Sequence, residues 1–154
     1  MIASTIYQKV ISVLQENPTL AKYIKIVFRG VRNPEEMEAQ SLPCIMVEPV
    51  NDGEINRVTN NVQDLYLDLD IYALSTSSFN DFDKTIVGDN DYKGILDINN
   101  DIRGCLIASS TLGESVIDIR IQTTEFSPPD FTSKYPTRAL VIPVKILYRQ
   151  QDGV

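Results

Sequence analysis

"NVQDLYLDLDIYA", residues 61–73, sets two kinds of side chain on alternate positions. Leu65, Leu67, Leu69, Ile71 and Ala73 fall on one side of an extended chain, and Asp64, Tyr66, Asp68, Asp70 and Tyr72 on the other. A β-strand turns successive side chains to opposite faces, so the stretch predicts a strand with a greasy wall and a tyrosine–carboxylate wall. Three aspartates on one strand face admit several readings: metal ligands, an acid–base pair, a solvated surface, or the lining of a passage that must not hold an anion. Same-face neighbours lie roughly 6.5–7 Å apart, so Asp68 and Asp70 share a divalent cation only with outside help. The interleaved Tyr66 and Tyr72 suit a half-buried contact face better than a catalytic floor.

The same alternation recurs along the chain. SVIDIRIQTTEF, residues 115–126, places Ile117, Ile119 and Ile121 on one face. RALVIPVKILYR, residues 138–149, does so with Leu140, Ile142, Val144, Ile146 and Tyr148; Pro143 inside it predicts an edge or bulged strand. PCIMVEP, residues 43–49, reads as a strand bracketed by prolines, and KIVFRGV, residues 25–31, as a strand ended near Gly30. NDGEINRVTNN, residues 51–61, is rich in turn formers and joins its neighbours as a long hairpin.

Two longer stretches have helical spacing. The first is expected from a cap at Ser4 or Thr5 to Glu16, with Ile6, Val10, Val13 and Leu14 inward. Asn17–Pro18 then caps a short turn reaching about Tyr23. The second helix is expected from about Tyr92 to Ala108, capped by Asp89 or Asp91, with Ile95, Ile98, Ile102, Cys105 and Leu106 inward. Gly94 and Gly104 weaken it, each by roughly 1 kcal/mol. NPEEMEAQ, residues 33–40, reads as a surface turn or short helix.

Helix, strands, helix, strands with no repeat predicts a single α+β domain over 1–154. Its sheet is mostly antiparallel, with two main helices packed on one face. Loops at about 50–63, 75–91 and 126–138 are long for so small a domain and are expected to be flexible docking segments that order on a partner.

Composition narrows the chemistry. The 154 residues are 43% hydrophobic and carry a net charge of −7, unlike a general nucleic-acid binder or an anionic-membrane binder. No apolar run approaches the roughly 20 residues that span a bilayer, and MIASTIYQKV lacks a signal-peptide core, so a cytoplasmic product is expected. Histidine is absent, which removes His-assisted nucleophiles and the commonest metal ligand. Cys44 and Cys105 are read as buried free thiols. DNDYKGILDINN, residues 89–100, brushes the calcium-loop pattern, yet Lys93 replaces an oxygen ligand and Asn100 stands where a bidentate Glu belongs. No cofactor or metal is assigned. The only dense basic stretch, KYIKIVFRGVR, gathers Lys22, Lys25, Arg29 and Arg32: solubilising charge, or an ion-pairing patch for an acidic partner or another copy of the chain.

In layout, an amino-terminal helix precedes PCIMVEP, a hairpin leads to LYLDLDIYA, then GILDINNDIRGCL and a closing pair ending LVIPVKILYRQ. This resembles the tail terminator (tail completion) proteins of long-tailed bacteriophages, the lambda minor tail protein U-like group. The resemblance covers roughly residues 3–150. It rests on element order, length and a strand P-x-x-V followed by x-L-x-L-x-I-Y. It implies an α+β fold and a homohexameric ring, assembled in the host cytoplasm and resident in the virion's tail–neck region. Such a ring sits on the tail-tube protein, stops its polymerisation and faces the head-side connector, while DNA only passes through the lumen. On this reading Asp64, Tyr66, Asp68, Asp70 and Tyr72 form a lumen or contact face. Lys25, Arg29, Arg32, Arg57, Pro143, Lys145 and Arg149 are candidates for subunit or partner contacts. The alternatives are another neck or head-closure component, and a carboxylate-dependent metal hydrolase using Asp68 and Asp70.

Overall fold

Leu67, Leu69, Ile71 and Ala73 are all buried, and each packs into a core shared with two helices. The computed structural model describes residues 2–33, 37–76, 83–88, 93–108, 112, 115–128 and 137–151. Its helices are α1 (Ile2–Glu16), the short α2 (Pro18–Ala21) and α3 (Ile95–Ala108). Its strands are β1 (Ile26–Arg29), β2 (Cys44–Thr59), β3 (Val62–Thr76), β4 (Val116–Ile121), β5 (Glu125–Phe126) and β6 (Thr137–Gln151). They form one sheet in the order β1-β2-β3-β6-β4, with β5 also on β6. Only β1 and β2 run parallel. The α+β fold with a mostly antiparallel sheet is therefore as expected.

α1 and α3 cover one face. Ile6, Val10, Ile11 and Leu14 of α1, with Ile95, Ile98, Ile102, Cys105 and Leu106 of α3, meet Ile45, Val47, Ile71, Ile142, Val144 and Ile146. Each such aliphatic side chain contributes about 1.5–3 kcal/mol by leaving water. Polar ties fix the layer: the Tyr7 hydroxyl donates to the Val47 carbonyl at 2.7 Å, and the Tyr23 hydroxyl to Asp101 at 2.7 Å. Asn17 caps α2 by accepting from the Thr19 and Leu20 amides, as its sequence indicated. A second, smaller cluster of Leu42, Cys44, Met46 and Leu74 lies on the opposite face, with Phe28, Met37 and Tyr72 against it. Neither cysteine forms a disulfide, both are buried, and burial pushes the Cys44 thiol up to about 12.

Several expectations need correction. α1 runs through Ser4 and Thr5, so neither is its cap; Ile11 is buried and Val13 only partly so. α3 begins at Ile95, leaving Gly94 outside it. A Cβ at Gly94 would stand 2.3 Å from the Ile86 carbonyl oxygen, so this glycine serves close packing against residues 86–88. Asp89, Asp91 and the start of the calcium-like loop lie outside the described residues, as do 34–36, 77–82 and 129–136 within the expected turn and loops.

The expected loop at 50–63 is strand for all but two residues. Pro49 does not stop β2. The Val47 carbonyl faces β1, where it accepts from the Gly30 amide. Two residues on, the missing donor of Pro49 points the same way, past the end of β1, and costs β3 no ladder bond. Pro143 is likewise not on an edge strand, since β6 lies between β3 and β4. Its carbonyl accepts from the Gln122 amide at 2.8 Å, so its amide-less nitrogen faces the break between β4 and β5.

Finally, residues 115–126 form two strands, and Ile117 does not share the face of Ile119 and Ile121. The pairing register slips between Val116 and Asp118, and Ile117 turns outward.

Candidate functional site

The uncovered face of the sheet is built by register. β3 contributes Asp64, Tyr66, Asp68, Asp70 and Tyr72, all half-buried. β6 lies antiparallel to it, and the pairing sets Asp64 opposite Arg149, Asp68 opposite Lys145 and Asp70 opposite Pro143. Residues expected to serve two different surfaces therefore belong to one. Arg149 grips Asp64 with two bonds, at 2.7 and 3.2 Å, and holds its carboxyl below the usual carboxylate range. Lys145 stands 3.3 Å from Asp68 and 4.1 Å from the centroid of the Tyr66 ring. That ring lies across β2 at Gly53, where a Cβ would come within 2.9 Å of it.

Asp70 is different. Its place opposite a proline leaves it without a cross-strand cation, and Glu48 faces it from β2. Partial burial first, then the Asp68, Glu125 and Glu48 charges, raise its carboxyl above the ordinary value; a hydrogen bond from Tyr72 partly opposes this. Burial and the Asp70 charge also push the Tyr72 phenol up. Among the described residues, the face thus grades from ion-paired carboxylates at Asp64 and Asp68 to an acidic patch at Asp70 with no paired cation. Among the described residues, no three acidic or cysteine side chains are grouped to hold a metal ion.

The other candidates lie apart from this face and from each other. Arg57 sits near the tip of the β2–β3 hairpin and pairs with Glu54 at 3.2 Å. Lys25 lines a crevice of about 200 Å³ between α1, α2 and β1. Arg29 is exposed at the end of β1, and Arg32 stacks over Phe28 at 5.5 Å.

Beyond residue 49, β2 is exposed at every position but Gly53, and its outer edge is unpaired among the described residues. This half of β2 is an arm along β3, which pairs with β6 on its other side and packs Leu65 and Leu67 against or into the core.

A comparison with protein-family models gave no match, and one with curated proteins gave none either.

Glu48, Glu125 and Gly53 were not singled out in the sequence. Each gains its role through cross-strand register, and a single strand's alternation carries no register. The unlike treatment of Asp64, Asp68 and Asp70 has the same origin.

Proposed function

We propose that the chain is a structural assembly protein of a phage tail, a terminator that forms a ring on the tail tube and presents its other side to the head-side connector. The observation that carries this reading is the arm. Of the 16 residues of β2, every one from Pro49 to Thr59 but Gly53 is exposed, and the outer edge of that stretch is unpaired among the described residues. Unpaired strand edges invite pairing with another chain, and soluble proteins ordinarily keep them short or covered. A long uncovered arm is economical when another molecule covers it.

The carboxylate face fits the lumen of such a ring. Asp70, Glu48 and Glu125 together repel passing phosphates, and the pairs at Asp64–Arg149 and Asp68–Lys145 stiffen the wall without adding net charge. On this reading the chain has no catalytic role, and its partners are its own copies, the tube protein and a neck protein.

The test is electron microscopy of lysates from the phage genome carrying this gene, with the gene deleted. A terminator leaves over-long tails. Tails of normal length that never join heads mean a head-closure part, the competing assignment.

A further inference from the structure

β1 is an edge strand: β2 covers one side of it and, among the described residues, nothing pairs with the other. The Gly30 amide, just past its end, donates to the Val47 carbonyl of β2 at 2.9 Å. Successive residues of a strand point their amides and carbonyls to opposite sides. Counting back from Gly30, the amides and carbonyls of Val27 and Arg29 face outward, open to one more strand.

The charge around this edge is of one sign. Residues 22–32 hold four of the chain's 14 Lys and Arg and none of its 21 Asp and Glu. Lys22, Lys25 and Arg29 are exposed, and none of the three is ion-paired among the described residues. Arg32 differs: it stacks on Phe28, and its guanidinium shares the space at Gly30 with the Glu48 carboxylate. The open edge of β2 beyond Pro49, where pairing slips at Val50, Ile55 and Val58 and leaves all three exposed, carries charges of both signs. Lys25 also borders the crevice of about 200 Å³, walled chiefly by Leu14, Ala21, Ile24, Ile26 and Val27.

We propose that β1 binds an acidic, extended segment of a partner protein by strand addition. Lys25 and Arg29 stand at the two ends of the strand, about 13 Å apart along an extended chain, and meet carboxylates of the added segment. Its apolar side chains lie against the exposed Ile26 and the crevice. Two β1 edges meeting would bring like charges together, which disfavours another copy's β1 as the occupant. Such a partner binds a single copy, so the contact stands whether or not copies close into a ring.

A fluorescein-labelled octapeptide of four Asp-Val repeats, titrated with the intact protein, is the probe. Its anisotropy should rise to saturation, while an octapeptide of four Lys-Val repeats should not bind. The Lys25→Glu, Arg29→Glu double variant, folded by circular dichroism, should bind the acidic peptide roughly tenfold or more weakly. The acidic peptide N-methylated at every amide lacks ladder donors and should not bind. In hydrogen exchange, bound peptide should slow the Val27 and Arg29 amides. The two control peptides decide the matter even where the double variant is unstable. No saturable binding, equal binding by either control peptide or by the double variant, or slowed exchange confined to residues 51–59 overturns the proposal. Displacement of the acidic peptide by an equal concentration of oligothymidylate would make the edge a phosphate site and overturns it as well.

Discussion

The two halves of the β2–β3 hairpin share one antiparallel pairing and differ in almost everything else. In the near half, Ile45 opposite Ala73 and Val47 opposite Ile71 are fully buried. In the far half, the exposed Glu54 and Arg57 of β2 stand opposite the half-buried Leu65 and Gln63 of β3. The near half has regular register. The far half has the bulges, the exposed aliphatics and a free edge. Backbone pairing alone holds a strand in place, but burial supplies most of a domain's stability. The near half thus supplies more of this chain's stability than the far half of β2 does.

That contrast is open to direct attack. Ile71→Ala empties a fully buried site and should cost about 2–5 kcal/mol in urea unfolding. Ile55→Ala, of like chemistry on the far half, should stay within about 0.5 kcal/mol. Comparable losses at the two positions would erase the distinction between the halves.

Gly53 probes a close contact on the exposed half of β2. Gly53→Val drives a side chain into the Tyr66 ring, pushes that ring away from Lys145, and should cost roughly 1–3 kcal/mol. In a Tyr66→Ala background the same change should be neutral or stabilising, because valine favours strands. A cost that persists without the ring would place the constraint in the backbone and not in Tyr66.

The smallest effect is electrostatic, and it splits one strand face in two. The Asp70 carboxyl is raised above its ordinary 3.8, so the folded state holds that proton more tightly than the unfolded chain. Asp70 therefore costs stability progressively as pH rises from below 3.8 through its folded value. Asp64 is lowered, so its stabilising share is present above 3.8 and is lost as pH falls through its folded value. Asp70→Asn should raise the thermal midpoint at pH 7 and have no such effect well below 3.8. Asp64→Asn should lower the midpoint at pH 7, an effect that salt reduces. Equal behaviour of the two variants would remove the grading of the face.

The fold was legible because its cause is local. Alternation in 61–73 and 138–149, and helical spacing in 95–106, each report which side of an element meets the core. Much of the site was not. Residues 51–61 carry Asn, Asp and Gly, which favour turns, yet pairing along β3 overrides that preference and makes most of them strand. Pro49 and Pro143 read as strand breakers or edge markers because sequence does not reveal which way a missing donor points. The bulges at Val50, Ile55, Val58 and Ile117 are hidden for a related reason: a slip in register is a property of two strands. Ile117 alone gave the misleading alternation.

Sedimentation velocity of the intact protein over a wide concentration series addresses the central claim most directly. The account predicts monomers when dilute that pass into one closed species of six copies as concentration rises. A compact dimer at every concentration, or monomers throughout, would contradict it.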